Sequence, residues 1–240
     1  MKQENWYDVD TARGGDFSLS NAFPILMRKV FVWMTLALAI TGITAYGVAS
    51  SPALVGMIFS SKVMFWGLII AEFGLVMAIS GAINRLSLAT ATLLFILYSV
   101  VNGATLSVIF LAYSTTVIAK TFFITAGTFG AMALVGYTTK TDLTSMGKLL
   151  FMALIGIIIA SVVNIFVGSS GLDLIISYVG VLVFVGLTAY DTQKIKEMCR
   201  MAPDAGESMQ KLALLGSLSL YLDFINLFLY LLRIFGNNKD

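Results

Sequence analysis

The strongest constraint on this chain is a run of 34 residues, Leu86 to Ala119, without one charged side chain. A helix crosses the hydrocarbon core of a bilayer with about 20 apolar residues. The run therefore holds one span and the start of another, with Ala112–Ser114 as the turn between them. Similar runs recur along the chain. Val30 to Ser61, Thr121 to Thr139, Leu149 to Leu172 and Leu174 to Tyr190 carry no charge, and Val63 to Asn84 is broken only by Glu72. Leu212 to Phe235 is interrupted by Asp223 and carries Arg233 near its end. These runs predict an all-α integral membrane protein with seven spans, at about 30–48, 63–84, 88–111, 116–138, 149–172, 174–190 and 212–235.

Composition agrees. The chain is 58% hydrophobic and 12% charged, where soluble domains run about 45–50% apolar and about 25% charged. Seven spans account for most of the apolar residues and leave little for a separate soluble domain. The expected organisation is a polar N-terminal tail at 1–29, a membrane domain at 30–236 and a short C-terminal tail at 237–240. The first 29 residues lack the apolar core and cleavage site of a secretory signal. They read as a tail, with the first span as an uncleaved anchor.

Orientation follows the lysines and arginines between spans. Lys2, Arg13, Arg28, Lys29, Arg85, Lys140, Lys148, Lys194, Lys196, Arg200 and Lys211 fall on one side, eleven in all, against Lys62, Lys120, Arg233 and Lys239 on the other. This puts the N-terminus in the cytoplasm and, for an odd number of spans, the C-terminus outside. A six-span reading, which Asp223 makes possible, would return the C-terminus inside. For a bacterial source the membrane is the cytoplasmic one.

Several chemistries are excluded or disfavoured. There is no histidine, so Ser–His and Cys–His catalysis and imidazole metal ligation are absent. Cys199 stands alone and offers neither a disulfide nor a metal-binding spacing. A net charge of +2 spread along the chain does not suggest nucleic acid. The GxxxxGK[ST] loop needed for direct ATP coupling is missing.

Acids inside spans carry the functional signal, because a charge at the bilayer centre costs at least about 2.5–3.5 kcal/mol. Around Asp223, the residues Gly216, Ser219, Asn226 and Tyr230 share one helix face, while the rest of the helix is Leu, Ile and Phe. That stripe should face the bundle interior or a water-filled cavity. Asp191 ends the sixth span in VGLTAYDTQKIK, with Thr188, Phe184, Gly180 and Ser177 roughly on its face. The two acids fall in the cytoplasmic half of consecutive antiparallel helices. If they touch, they hold one proton between them and titrate as a unit. Losing that proton would push the helices apart, and the open pair would be a hard oxygen site suited to a transient Ca²⁺ contact. The alternative reading makes Asp191 an interfacial residue near Lys194 and Asp223 a bond to a neighbouring helix. Glu72, near mid-membrane, has Phe65, Leu68 and Val76 on its face and reads equally as structural or as a step in an ion path. Arg85 reads as a partner near Asp191 or as a positive-inside anchor. Asn102 and Asn164 are expected to hydrogen-bond across helices.

Four stretches in order carry a resemblance: NGATLSVIFLAYS (102–114), FFITAGTFGAMALVGYTTKTDL (122–143), GLTAYDTQKIK (186–196) and LYLDFINLFLYLLRIFG (220–236). Over about residues 23–236 the chain resembles the transmembrane Bax-inhibitor-motif family, also called the Bax inhibitor-1 family, in its bacterial branch. The resemblance implies six helices wrapped around a central seventh and a pH-sensitive Ca²⁺ leak. It implies that Asp191 and Asp223 form the gating pair and pH sensor. It makes Arg85 the candidate for an arginine that engages the pair in one state, and matches Glu72 to an acidic position of the same helix. Eukaryotic relatives suppress cell death, and some bacterial ones are linked to a membrane protease.

The expected function is therefore a proton-gated Ca²⁺ leak, with Asp191 and Asp223 as gate and Arg85, Glu72, Asn226 and Ser219 as gate partners or ion path. Its partners are the lipid bilayer, Ca²⁺ and protons, with no cofactor beyond Ca²⁺ as the permeant ion. Two alternatives stand beside it: a regulator or scaffold that binds a membrane protease or another membrane protein, and a proton/cation exchanger using the same carboxylates. An enzyme is not expected. An intramembrane aspartyl protease would pair YD with GxGD and a later PAL; here Leu220–Asp223 lacks the glycines, and Pro52-Ala53-Leu54 precedes both aspartates.

Overall fold

The computed structural model describes residues 6–236, and side chains from Ala22 onward. Residues 1–5 and the tail at 237–240 lie outside the described residues, as do the tail side chains before Ala22, Arg13 among them. The described chain is helical throughout: α1 (Trp6–Ala49), α2 (Pro52–Phe59), α3 (Lys62–Ala82), α4 (Leu88–Leu106), α5 (Val108–Ala112), α6 (Thr115–Thr138), α7 (Thr144–Val167), α8 (Ser170–Arg200) and α9 (Glu207–Gly236). Seven of these segments, with α4 and α5 taken together, are long and apolar enough to cross a membrane.

Serine starts five of the helices. Ser51, Ser61, Ser87, Ser114 and Ser169 each have extended backbone and accept from the amide three residues on. The hydroxyl satisfies an amide that the first helical turn leaves without a partner. Glycine stops α7: Gly168 has φ 66°, a left-handed conformation that costs glycine little.

Four spans differ from the sequence reading, the first, fifth, sixth and seventh. The crossing part of α1 is Ala22–Ala49. Ala22, Leu26 and Met27 are buried there, so packing begins before Val30. The apolar segment after it forms the short helix α2, held by Ser51 and by Pro52 at its first position. The fifth span is Thr144–Val167 rather than 149–172, because Gly168 ends it. The largest change is at the sixth and seventh spans. α8 runs nine residues past Asp191 to Arg200, and α9 begins at Glu207, so the polar stretch at 196–211 is mostly helix. Only 201–206 connects the two.

α9 is the most buried span. It packs on α8, α1, α6 and α4, while α3 packs on α4 and α7 on α8, outside that ring. Tyr221, Leu214, Leu220, Leu227 and Leu232 of α9 are almost wholly enclosed. By contrast, α3 and α7 expose large apolar side chains such as Phe73, Met77, Ile165 and Phe166. An apolar exterior of this kind is a lipid-facing surface, since a bilayer solvates it and water does not.

Close helix packing rests on small residues. Gly103 of α4 lies against Thr41 of α1, Gly136 of α6 against the Ala189 carbonyl of α8, and Gly147 of α7 beneath the Tyr190 ring. Lipid gives apolar helices no hydrophobic reason to associate, so close van der Waals contact of this kind must supply it.

Candidate functional site

Two glycines set the register between α8 and α9. Gly216 packs against Ile195, and Gly180 lies beneath the ring of Tyr230. On antiparallel helices these contacts place Asp191 level with residues 219–220, and Asp223 level with 187–188. The two acids are offset by about one helical turn, or ~5 Å. Their carboxyl groups are close enough to interact electrostatically.

The pair is asymmetric. Asp223 is 5% exposed, and its Oδ2 has no hydrogen-bond partner. Asp191 is half-buried and lines a cavity of about 620 Å³. The cavity reaches from Asp142 and Met201, on the face where the chain enters, down to Ser219 and Leu222. One carboxyl is thus enclosed, and the other borders the cavity.

The other residues singled out in the sequence fall in different places. Ser219 lines the cavity. Asn226 donates to the Leu222 carbonyl of its own helix at 2.8 Å. Arg85 is exposed in the turn between α3 and α4, and forms no ion pair with the described residues. The cation that acts on Asp191 is Lys194, one turn further along α8. Asn164 does not reach across helices: its Oδ1 accepts from the Ser169 amide and closes the end of α7.

Glu72 belongs to a second polar cluster, on the opposite side of α9. Its carboxyl faces Asn102 and Thr105 of α4, and its Oε1 has no hydrogen-bond partner. Asn102 Oδ1 accepts from the Tyr221 hydroxyl at 2.9 Å. That hydroxyl is also 2.7 Å from Thr41 Oγ1, which bonds the Ser99 carbonyl at 3.0 Å. The rings of Phe95 and Tyr98 meet Tyr221 edge-on. Tyr221 and Asp223 are two residues apart, so α9 carries one polar site on each of two opposed faces at nearly the same depth.

Two clasps at the entry face, which the sequence reading missed, hold the helices of the acid pair. Gln193, two residues past Asp191, donates to the Thr141 carbonyl and accepts from the Leu143 amide, both at 2.8 Å. This ties α8 to the loop between α6 and α7. In that loop, hydrogen bonds from the hydroxyl and amide of Thr144 hold the Asp142 carboxyl below the usual carboxylate range. At the start of α9, Glu207 accepts from the Leu88 amide at 3.0 Å and Lys211 donates to the Leu86 carbonyl at 3.0 Å. This ties α9 to the turn between α3 and α4. The available signal for the first clasp was the glutamine inside GLTAYDTQKIK.

Fold and site together define a class: a helical multi-pass membrane protein with two carboxyls between its last two spans, one enclosed and one half-buried. The family model described as "Inhibitor of apoptosis-promoting Bax1" matches residues 24–240, and the chain belongs to that family. It is 51% identical over 214 residues to the inner membrane protein YbhL of Escherichia coli, covering 89% of this chain and 92% of that one. An uncharacterized protein of Borreliella burgdorferi is 51% identical over the same shares. The uncharacterized protein RP147 of Rickettsia prowazekii is 46% identical over 216 residues, 89% of this chain and 90% of its own.

Proposed function

We propose that this protein is a pH-sensitive Ca²⁺ leak channel of the cytoplasmic membrane, gated by the Asp191–Asp223 pair. In this reading it is a passive transporter rather than an enzyme, and needs no cofactor. Its N-terminus is cytoplasmic and its C-terminus outside. The observation that carries the reading is a sealed carboxyl within electrostatic reach of a second carboxyl that borders a cavity.

The chemistry follows from that arrangement. Two carboxyls within electrostatic reach tolerate each other while at least one of them is protonated. Removing the last proton leaves two like charges in a low-dielectric setting, where they repel strongly. α8 and α9 are then driven apart. Each moves with the loop that its own clasp holds: α8 with the α6–α7 loop, α9 with the α3–α4 turn. The separated carboxylates face the cavity and offer Ca²⁺ oxygen ligands. Ca²⁺ takes about six to eight oxygens, and among the described residues no group of three acids, cysteines or histidines comes together. The pair thus gives a passing ion a contact and does not retain it.

Purified protein in liposomes, loaded with a Ca²⁺ indicator, tests this. The expected result is Ca²⁺ entry down its gradient that stops at equal concentrations. Ca²⁺ accumulation driven by an imposed proton gradient would make the protein an exchanger. Folded, inserted protein that passes no Ca²⁺ would leave the regulator of a membrane partner as the better reading.

A further inference from the structure

A second cavity, of about 870 Å³, opens at the entry face on the α6 side of α8. Lys140, Lys196 and Arg200 line it, together with Phe23, Tyr137 and Thr139. It lies where the spans end: Phe23 is near the start of the crossing part of α1, and Tyr137 and Thr139 are at the end of α6. That is the depth of the lipid headgroups.

Lys196 is the unusual residue. It is 8% exposed, yet its ammonium has no carboxylate within hydrogen-bond distance. It donates to the Tyr137 carbonyl at 3.0 Å, and the nearest carboxylate, Glu197, stands 3.6 Å away on the same helix. Glu197 is equally far from Arg200 Nη1, so one half-exposed carboxylate is shared loosely between two cations. The other acid on the cavity, Asp142, is turned to the amide of Thr144 at 2.8 Å. A nearly buried ammonium needs an anion to offset its lost hydration, and the one within ion-pair distance is a half-exposed carboxylate that Arg200 also engages. Three cations against two acids leave the cavity net positive. Phe23 and Tyr137 stack at 6.3 Å on its wall, the kind of aromatic pair that sits at a membrane interface.

We propose that this cavity binds the phosphate of an anionic phospholipid headgroup. Lys196 meets the phosphate from the buried side, and Arg200 and Lys140 close on it from the open side. The guanidinium takes two phosphate oxygens at once, and the ammonium groups act as point charges. The lipid is favoured over a free phosphate because the cavity lies at headgroup depth, where the acyl chains of a bound lipid remain in the bilayer. The proposal does not depend on ion flux.

Native mass spectrometry of the full chain, extracted from bilayers of phosphatidylcholine with phosphatidylglycerol, reads lipid retention directly. The wild type is expected to keep phosphatidylglycerol in preference to phosphatidylcholine. Arg200→Gln and Lys140→Gln should each reduce that retention about tenfold, the scale of one charge-assisted hydrogen bond to the phosphate. Lys148→Gln is the control. It removes the same charge on the same face from an exposed residue outside the cavity, and should leave retention unchanged. Both test residues are at the open side, so their folding is checked simply by thermal unfolding. Equal losses from all three variants, or no loss from any, would overturn the site. Displacement of the lipid by millimolar inorganic phosphate would overturn the assignment to a lipid.

Discussion

Asp223 and Asp191 differ in what surrounds them, and so should their variants. Asp223→Asn keeps the shape of the enclosed carboxyl and removes its charge at every pH. The pair then no longer repels, and the pH response of flux should flatten. Asp191→Asn should flatten it as well, and should also lower flux, because this residue borders the cavity. The sign follows from the chemistry: acid keeps at least one carboxyl neutral and favours the closed pair, so flux rises with pH. Tyr221 gives a test without ionic chemistry. Tyr221→Phe loses contacts with Asn102 and Thr41, and at about 0.6 kcal/mol for each interhelical bond the cost is ~1 kcal/mol in thermal unfolding. Asp223 was legible in the sequence because a lone acid in a span is expensive. Its stripe was legible only in part. Gly216 and Tyr230 do face α8 with Asp223, but Asn226 spends its amide on its own helix. Of the Glu72 cluster, Glu72 and the cross-helix bond of Asn102 were legible. Their meeting with Tyr221 and Thr41 was not, because Asn102, Tyr221 and Thr41 come from three other helices and share no sequence spacing with Glu72.

Helices show a similar division. The number of spans and three of their starts could be read. Runs poor in charge gave seven spans, those expected from 63, 88 and 116 begin within a residue of α3, α4 and α6, and the turn at 112–114 falls between α5 and α6. The other four begin four to eight residues earlier than expected. The extension of α8 beyond Asp191 could not be read. Its lysines and glutamate look like loop residues, and the helix persists because Ile195, Lys196 and Cys199 are buried against its neighbours. Glycines four residues from another small residue are not equivalent: Gly103, before Ser107, lies at a helix contact, and Gly130, after Ala126, does not. A Cβ on Gly103 would meet α1, and one on Gly130 would meet nothing. The matched prediction lies within α6. Gly136→Ala drives a methyl into the Ala189 carbonyl and should cost about 1–3 kcal/mol in unfolding, the usual range for overpacking. Gly130→Ala should be close to neutral. The clasp is tested by Gln193→Leu, which frees the α6–α7 loop from α8. Hydrogen exchange at residues 141–143 should quicken, while exchange within α4 stays as it was.

For the whole molecule, burial is concentrated on α9, and the lipid-facing surface falls mainly to α3 and α7. This distribution explains why a chain with few charges can keep polar groups at mid-depth. Asp223, Tyr221 and Asn102 sit on or against the helix that is best shielded from lipid, and Glu72, on the lipid-exposed α3, turns its carboxyl inward to α4. Topology is a separate prediction from charge bias: a reporter that fluoresces only in the cytoplasm should be dark at the C-terminus and bright at the N-terminus. The central claim, that a carboxyl pair between α8 and α9 gates the protein, is tested most directly by Ca²⁺ flux in liposomes from pH 5 to 8, with wild type and Asp223→Asn side by side. Flux that rises with pH in the wild type and is level in the variant is the predicted result. The same pH profile in both proteins would contradict it and leave Asp223 as a packing residue.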